Sequence, residues 1–510
     1  MKQPKVVVVG AGMAGLVSAL QLAHAGMDVT VVEAAAGPGG KVRQLDVNGA
    51  GIDSGPTVFT MRWVFDQIME SVGTSLDAEL RIKPLPVLAR HWWEDGSTLD
   101  LHADARQSVE AVAAFAGRDE AERFKAFCRQ AGEVYRALEG PYMRQRLPGM
   151  LGLGATLGLR GMGVLAGLGP LRSLWHSLGR HFHDPRMRQL FGRYATYTGS
   201  SPWAAPATLM LIAQVELDGV WAVDGGMHAL ARCLERLARA RGARFRYHSP
   251  CERIELQRGR VSGVRLAGGE FIEADQVIFN GDVAALRAGL LGDAVRPAVG
   301  RKAPQRSLSA ITWSINAPTA GLALDRHNVF FTHDYASEFT DIFEHGRLPL
   351  KPTVYVCAQD RGTGNVPQGS ERLLCLVNAP ATGDTESLTP EALAQCETTS
   401  FALLRRCGLT LSPAQTHTVR TTPADFNRLF PATGGALYGQ ATHGWMSAFA
   451  RSNAATPVPG LFLAGGSVHP GPGVPMAALS GLRAAEALMA NRALTRPSPA
   501  VATSGGTSMP

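Results

Sequence analysis

Val6-Val7-Val8-Val9-Gly10-Ala11-Gly12-Met13-Ala14-Gly15 lies at the start of a chain of 510 residues. Four successive β-branched residues mark a short strand buried on both faces. The glycines that follow have separate tasks: Gly10 permits a tight turn, Gly12 lets backbone approach a pyrophosphate, and Gly15 lets helix and strand pack closely. A helical pattern runs through Ala25 and Gly26 ends it. Asp28 to Val32 then reads as a second strand, with Glu33 at its end to accept hydrogen bonds from a ribose diol. The helix N-terminus supplies amide donors and partial positive charge to phosphates. A glycine fingerprint by itself is a weak signal. Strand, fingerprint, helix, second strand and terminal acid in this order specify a dinucleotide-binding βαβ unit.

Further glycine-rich segments decide which dinucleotide. Gly39-Gly40-Lys41-Val42-Arg43 follows the acid, where many large flavoproteins carry Gly-Gly-Arg, and Asp53-Ser54-Gly55-Pro56-Thr57 comes next. Lys41 in place of Arg keeps a charge near phosphate and loses the planar fork. Near the other end, the strand-like Gly460-Leu461-Phe462-Leu463-Ala464-Gly465-Gly466 precedes His469-Pro470-Gly471-Pro472-Gly473-Val474, and a helix is expected to begin near Pro475. A site assembled from both chain ends suits a long cofactor, FAD, better than a nicotinamide. The expected FAD contacts are Gly10, Gly12, Met13, Ala14, Gly15, Glu33, Ala34, Gly40, Lys41, Gly55, Pro56, Thr57, Gly465, Gly466, Gly473 and Val474.

The fold class this implies is α/β: a discontinuous Rossmann-type FAD-binding domain with a mixed α+β substrate domain. The cofactor pieces are expected at 1–73, 225–282 and 434–490, and the substrate domain at 74–224, which also carries the membrane contact, and at 283–433. Within the second cofactor piece, Gly225-Gly226-Met227 opens an amphipathic helix bearing Leu230, Leu234 and Leu237. Strands are expected over Arg253–Leu256, Val261–Leu266 and Gln276–Phe279. Residues 491–510 form a tail, and its last stretch, rich in Ser, Pro, Thr and Gly, reads as disordered.

Composition narrows the function. Hydrophobic residues make up 45% and charged residues 18%, the latter below the roughly 25% of ordinary soluble domains. A lightly charged chain with 57 Gly and a formal net charge of +7 suits greasy material and anionic lipid headgroups. Its Lys and Arg are dispersed, without a zinc, helix-turn-helix or RNA-binding signature, so nucleic acid is not the expected partner. Cys128, Cys233, Cys251, Cys357, Cys375, Cys396 and Cys407 show no metal-like spacing. They read as reduced thiols of a cytosolic protein that starts at Met1. No apolar run reaches the ~18 residues that span a bilayer. Leu147 to Leu174 comes nearest, broken by Arg160, Pro170 and Arg172. It reads as an interfacial segment, with Arg144, Arg146 and Arg180 also meeting headgroups, or else as a buried helix pair lining a cavity.

Taken together, these segments resemble the phytoene desaturase-type flavoproteins over essentially the whole chain. Gly460 to Gly481 is similar to that family's signature, departing at Pro459 and Val468. Asp53 to Met61, continuing through Arg62-Trp63-Val64-Phe65-Asp66, most resembles the 1-hydroxycarotenoid 3,4-desaturases of purple bacteria, also called hydroxyneurosporene or methoxyneurosporene desaturases. The resemblance implies an architecture like the amine-oxidase and dissociation-inhibitor flavoproteins, with FAD as the only tightly bound cofactor. It implies a linear C40 substrate with a tertiary hydroxyl at C-1, a product with a new C3=C4 bond, and work at the membrane. The expected location is cytoplasmic, peripheral to the inner membrane, with oxygen or quinone as electron acceptor. No triad, carboxylate pair or metal cluster stands out, so no metal is expected. The candidates for the proton step or the substrate hydroxyl are His91, Tyr197 and His469, each with a plain structural reading beside it. Rival functions are a phytoene desaturase, a carotenoid isomerase, an amine oxidase, and a lipid-binding escort protein without flavin chemistry.

Overall fold

Lys5–Val9 (β1), Met13–His24 (α1) and Asp28–Val32 (β2) form the expected unit, with β1 and β2 parallel and in register from Lys5 opposite Asp28 to Val9 opposite Val32. The structure, a computed structural model, describes residues 3–145, 161, 163–164, 166–168, 172–364, 366–385, 388–411 and 416–495. Most of the Leu147–Leu174 stretch and the end of the C-terminal tail lie outside the described residues.

β1 is the centre of a five-stranded parallel sheet whose order is Leu461–Leu463, Gln276–Phe279, β1, β2, Arg244–Arg246. Strands distant in sequence thus become neighbours, and the C-terminal glycines are delivered beside the first βα turn. The valines of β1 and β2 are almost fully buried, as a parallel sheet covered on both faces requires. Helix α1 packs between the helices Met227–Ala240 and Val474–Thr495 in one apolar core. Its crossing with the last helix is close. The Ser18 hydroxyl donates to the Gly481 carbonyl at 2.8 Å, and a Cβ on Gly481 would stand 2.2 Å from the Ala14 oxygen.

The strands expected over 253–256, 261–266 and 276–279 are present as Cys251–Gln257, Arg260–Leu266 and Gln276–Phe279. The sequence reading missed Phe271–Glu273, which completes a three-stranded antiparallel sheet. It is too short to show alternation. The larger sheet has seven strands, ordered His417–Thr421, Ser309–Ala317, Glu371–Ala379, Val354–Ala358, His327–Phe331, Val87–Trp93, Thr98–His102. Its pairs are antiparallel except for His327–Phe331 on Val87–Trp93. Helices from the 105–217 region pack on it through an aromatic core that includes Phe124, Phe127, Phe182 and Phe191.

Candidate functional site

The N-terminus of α1 is prepared for an anion. Gly12 is its N-cap and has no side chain to cap it, and no acid occupies its first turn. The Gly15 amide is taken by the Asn280 side chain, so the amides ahead of it supply the donors and partial positive charge that phosphate seeks. The surrounding backbone is closed against side chains. A Cβ on Gly15 would lie 2.1 Å from the Gly10 carbonyl oxygen, and one on Gly40 would lie 3.1 Å from the Gly12 Cα. Gly10 itself has φ +103°, a conformation L-residues avoid. These are the features a pyrophosphate-binding turn requires, so the residues present fit a bound dinucleotide.

A cavity of about 830 Å³ begins here. Every expected FAD contact lines it except Gly15, which instead holds α1 against the end of β1. Glu33 lines the wall with both oxygens engaged: Oε2 accepts from the Ala11 amide at 2.6 Å and Oε1 from the Ala35 amide at 2.8 Å. The acid thus also braces the turn it was expected to serve. Lys41 reaches inward, donating to the Leu437 carbonyl at 2.6 Å, and its ammonium pKa is lowered by burial.

Asn280 lines the cavity too, and the sequence reading missed it. Its Oδ1 accepts from the Gly15 amide at 2.9 Å, its Nδ2 donates to the Ala464 carbonyl at 3.1 Å, and its own amide donates to Val9. One side chain ties the first glycine turn to the last. Asp53 plays a similar part. Its carboxylate accepts from the amides of Met227 and His228, capping the Met227–Ala240 helix. Burial pushes that carboxyl above its ordinary range.

Beyond the glycine turns the wall becomes apolar, with Leu138, Leu209, Ile212, Val215, Leu374 and Leu376 among its residues. Two polar groups interrupt it. In the first, Thr57 Oγ1 lies 2.7 Å from the Tyr355 hydroxyl, which lies 2.7 Å from His327 Nδ1. Burial, with Arg326 and Arg193 nearby, lowers the His327 pKa to about 3, so the ring is neutral. The second rests on the helix Pro185–Gly192, started by the Asp184 cap and Pro185. It runs into a 3₁₀ turn, Arg193–Thr198. Arg193 Nη1 donates to the Tyr197 hydroxyl at 3.2 Å, Tyr197 donates to Glu216, and Tyr194 donates to Glu216 at 2.6 Å. Burial and the Glu216 carboxylate hold the Tyr197 phenol well above its ordinary pKa, so it stays protonated and is a donor rather than a base.

The three candidates for the chemistry therefore separate. Tyr197 lines the cavity, whereas His91 and His469 lie outside its wall. His91 is fully buried on the Val87–Trp93 strand, stacked on Phe331, with Nδ1 at 3.0 Å from the Leu99 carbonyl and a pKa lowered to about 3 by burial. His469 packs edge-on against Tyr142 with Nε2 at 3.2 Å from the Gln145 carbonyl, and burial lowers it to about 4.

The chain matches the family described as flavin containing amine oxidoreductase over residues 13–489. It is 59% identical to hydroxyneurosporene desaturase of Rubrivivax gelatinosus, over 100% of this chain and 97% of that protein. It is 48% identical to hydroxyneurosporene desaturase of Cereibacter sphaeroides, over 96% and 98% of the two chains. Among solved structures, putrescine oxidase bound to putrescine superimposes with a TM-score of 0.62 at 15% identity, covering 96% of this chain and 99% of that one, which speaks for the fold. The chain belongs to the flavin-containing amine oxidoreductase family, as an FAD-dependent oxidoreductase related over its full length to desaturases.

Proposed function

We propose that the protein desaturates an acyclic 1-hydroxycarotenoid at C3–C4, with FAD taking the electrons. The observation that carries this reading is one cavity that joins the glycine turns to a long apolar wall, in a chain so similar to named desaturases. Bound FAD supplies a two-electron acceptor for the hydride leaving C-4, and oxygen or quinone then receives the electrons. Residues 1–73, 225–282 and 434–490 hold the cofactor in this reading, and 74–224 and 283–433 shape the substrate's path. The apolar wall orients the polyene and excludes water, leaving much of the reactivity to the conjugated chain itself. The Thr57–Tyr355–His327 chain is a fixed polar group in this wall; its imidazole, lowered to about 3 by burial, does not hold the proton that leaves C-3, which with the hydride makes up the two hydrogens passed to the final acceptor. His91 and His469 brace the core and the C-terminal glycine loop.

Product analysis tests this. Hydroxylated and unsubstituted acyclic carotenoids are supplied side by side, and the hydroxylated one is expected to give a red-shifted product two hydrogens lighter. An unchanged mass would indicate isomerisation, and conversion of phytoene alone would replace the proposal with a phytoene desaturase.

The same reading places the protein on a lipid surface. Leu429 and Trp445 line the cavity yet are 45% and 43% exposed, with Met446 beside them at 38%. An apolar rim around a greasy cavity, on a basic protein, favours a membrane from which substrate enters. No helix among the described residues is long and apolar enough to cross a membrane. Replacing Trp445 and Met446 by Glu is expected to reduce co-sedimentation with partly anionic vesicles about tenfold or more, since buried apolar area is lost and charge is added. Undiminished binding would move the docking face elsewhere.

A further inference from the structure

Arg193 is a buried cation in an otherwise greasy wall, 8% exposed and lining the cavity. Its partners do not use it fully. Nη1 donates to Tyr197, and Nη2 forms only a long ion pair with Glu216 at 3.7 Å. Nε and Nη2 make no hydrogen bond among the described residues. A guanidinium directs all its N–H groups outward in one plane, and unspent donors out of reach of water cost stability unless something else accepts from them. A pure hydrocarbon offers no acceptor. An oxygen substituent does.

Position gives the second argument, which rests on the desaturation reading above. If the bond between C-3 and C-4 is the one oxidised, an oxygen on C-1 lies within about 5 Å of the reacting carbons, since only a few single bonds separate them. Its partner must therefore stand near the start of the apolar wall, beside the glycine turns, and not at the far end of the cavity. Arg193 and Tyr197 line the same cavity as Gly55 and Thr57, and the Thr57–Tyr355–His327 chain of that wall begins two residues beyond Gly55.

We propose that Arg193 is a specificity-determining residue that donates hydrogen bonds to the oxygen on C-1 of the substrate. Glu216, Tyr194 and Tyr197 act as positioning residues: the carboxylate balances the buried charge and the two phenols fix the carboxylate. Because the protein supplies the donor, an ether oxygen serves as well as a hydroxyl. Hydroxy and methoxy ends are both accepted, and an unsubstituted end leaves the donors unpaired.

The test compares three acyclic carotenoids that differ only at C-1, bearing hydroxyl, methoxyl or hydrogen, in the flavin-loaded protein. Dissociation constants come from absorption titration without turnover, and kcat/KM from product formation. Two variants are used. Arg193→Lys keeps a cation for Glu216 but loses the fork. The paired change Arg193→Met with Glu216→Gln removes both charges, so that neither is left buried without a partner. Wild type is expected to bind both oxygenated substrates at least about tenfold better than the unsubstituted one, and both variants to lose most of that ratio. A ratio that survives in both variants overturns the inference while leaving the desaturase reading intact. So does a wild type that rejects the methoxyl end as strongly as the hydrocarbon end. Failure of the wild type to convert either oxygenated carotenoid would instead defeat the desaturase reading, with the titration still reporting on Arg193.

Discussion

Gly15→Ala is expected to yield a protein that purifies with little or no flavin. The added Cβ would lie 2.1 Å from the Gly10 carbonyl oxygen and 2.7 Å from Asn280 Oδ1. The first is backbone, and cannot swing aside. Relief requires α1 to move away from β1, which carries the leading amides of its first turn away from the phosphates and stretches the 2.9 Å bond from the Gly15 amide to Asn280. Overpacking of this kind costs on the order of 1–3 kcal/mol, and a backbone clash stands at the upper end. About a hundredfold weaker FAD binding follows from that figure. The measurement is flavin absorbance per protein after reconstitution, followed by titration of the apoprotein with FAD. Gly37→Ala is the control, because a Cβ there meets nothing within 4 Å and the position has no positive φ. Retention of stoichiometric FAD by the Gly15 variant would remove the pyrophosphate role from this turn.

The same comparison shows what the sequence could and could not convey. β1, α1 and β2 were legible because a parallel strand buried on both faces and a glycine turn leave local marks within a few residues. His91, singled out only as an ionisable residue, sits fully buried on the Val87–Trp93 strand and outside the cavity wall. Asn280 was not readable. Its work is to bond Gly15 and Ala464, 265 and 184 residues away, and a single Asn at a strand end has no local signature. Arg193 was hidden for the same reason. It appeared as one of 50 dispersed Lys and Arg until Gly192 and the 3₁₀ turn brought it to Tyr197 and Glu216 in the cavity wall. The glycine motifs therefore led to the turns that line one part of the cavity. The polar groups of the apolar wall depend on the pairing of distant elements, and their residue types are ordinary in sequence.

Acid is expected to destabilise the protein well above the pH at which ordinary carboxylates protonate. His91 and His327 have pKa values lowered to about 3 and His469 to about 4, in each case chiefly by burial. All three are at most 4% exposed, and each has a ring nitrogen without a hydrogen-bond partner among the described residues. The sign follows from linkage. Above an unfolded value of about 6.5 both states are neutral; below it the unfolded chain binds protons that the folded chain refuses, so stability falls as pH falls. The loss continues until the folded values near 3 to 4 are reached. At pH 5 each histidine contributes about 2 kcal/mol of destabilisation, roughly 6 kcal/mol for the three, a large part of the 5–15 kcal/mol that folded domains possess. Asp53 and Glu338, pushed up by burial, act in the opposite sense in the lower part of this window and reduce the net slope. Urea unfolding at intervals from pH 8 to pH 5 should show a midpoint that is flat above about 7 and then declines. His91→Leu, which places an apolar side chain at a fully buried position, should remove about a third of the decline whatever it does to stability at pH 8. A midpoint unchanged down to pH 5 would mean that these rings accept protons in the folded state, and the dry core drawn around them would be wrong.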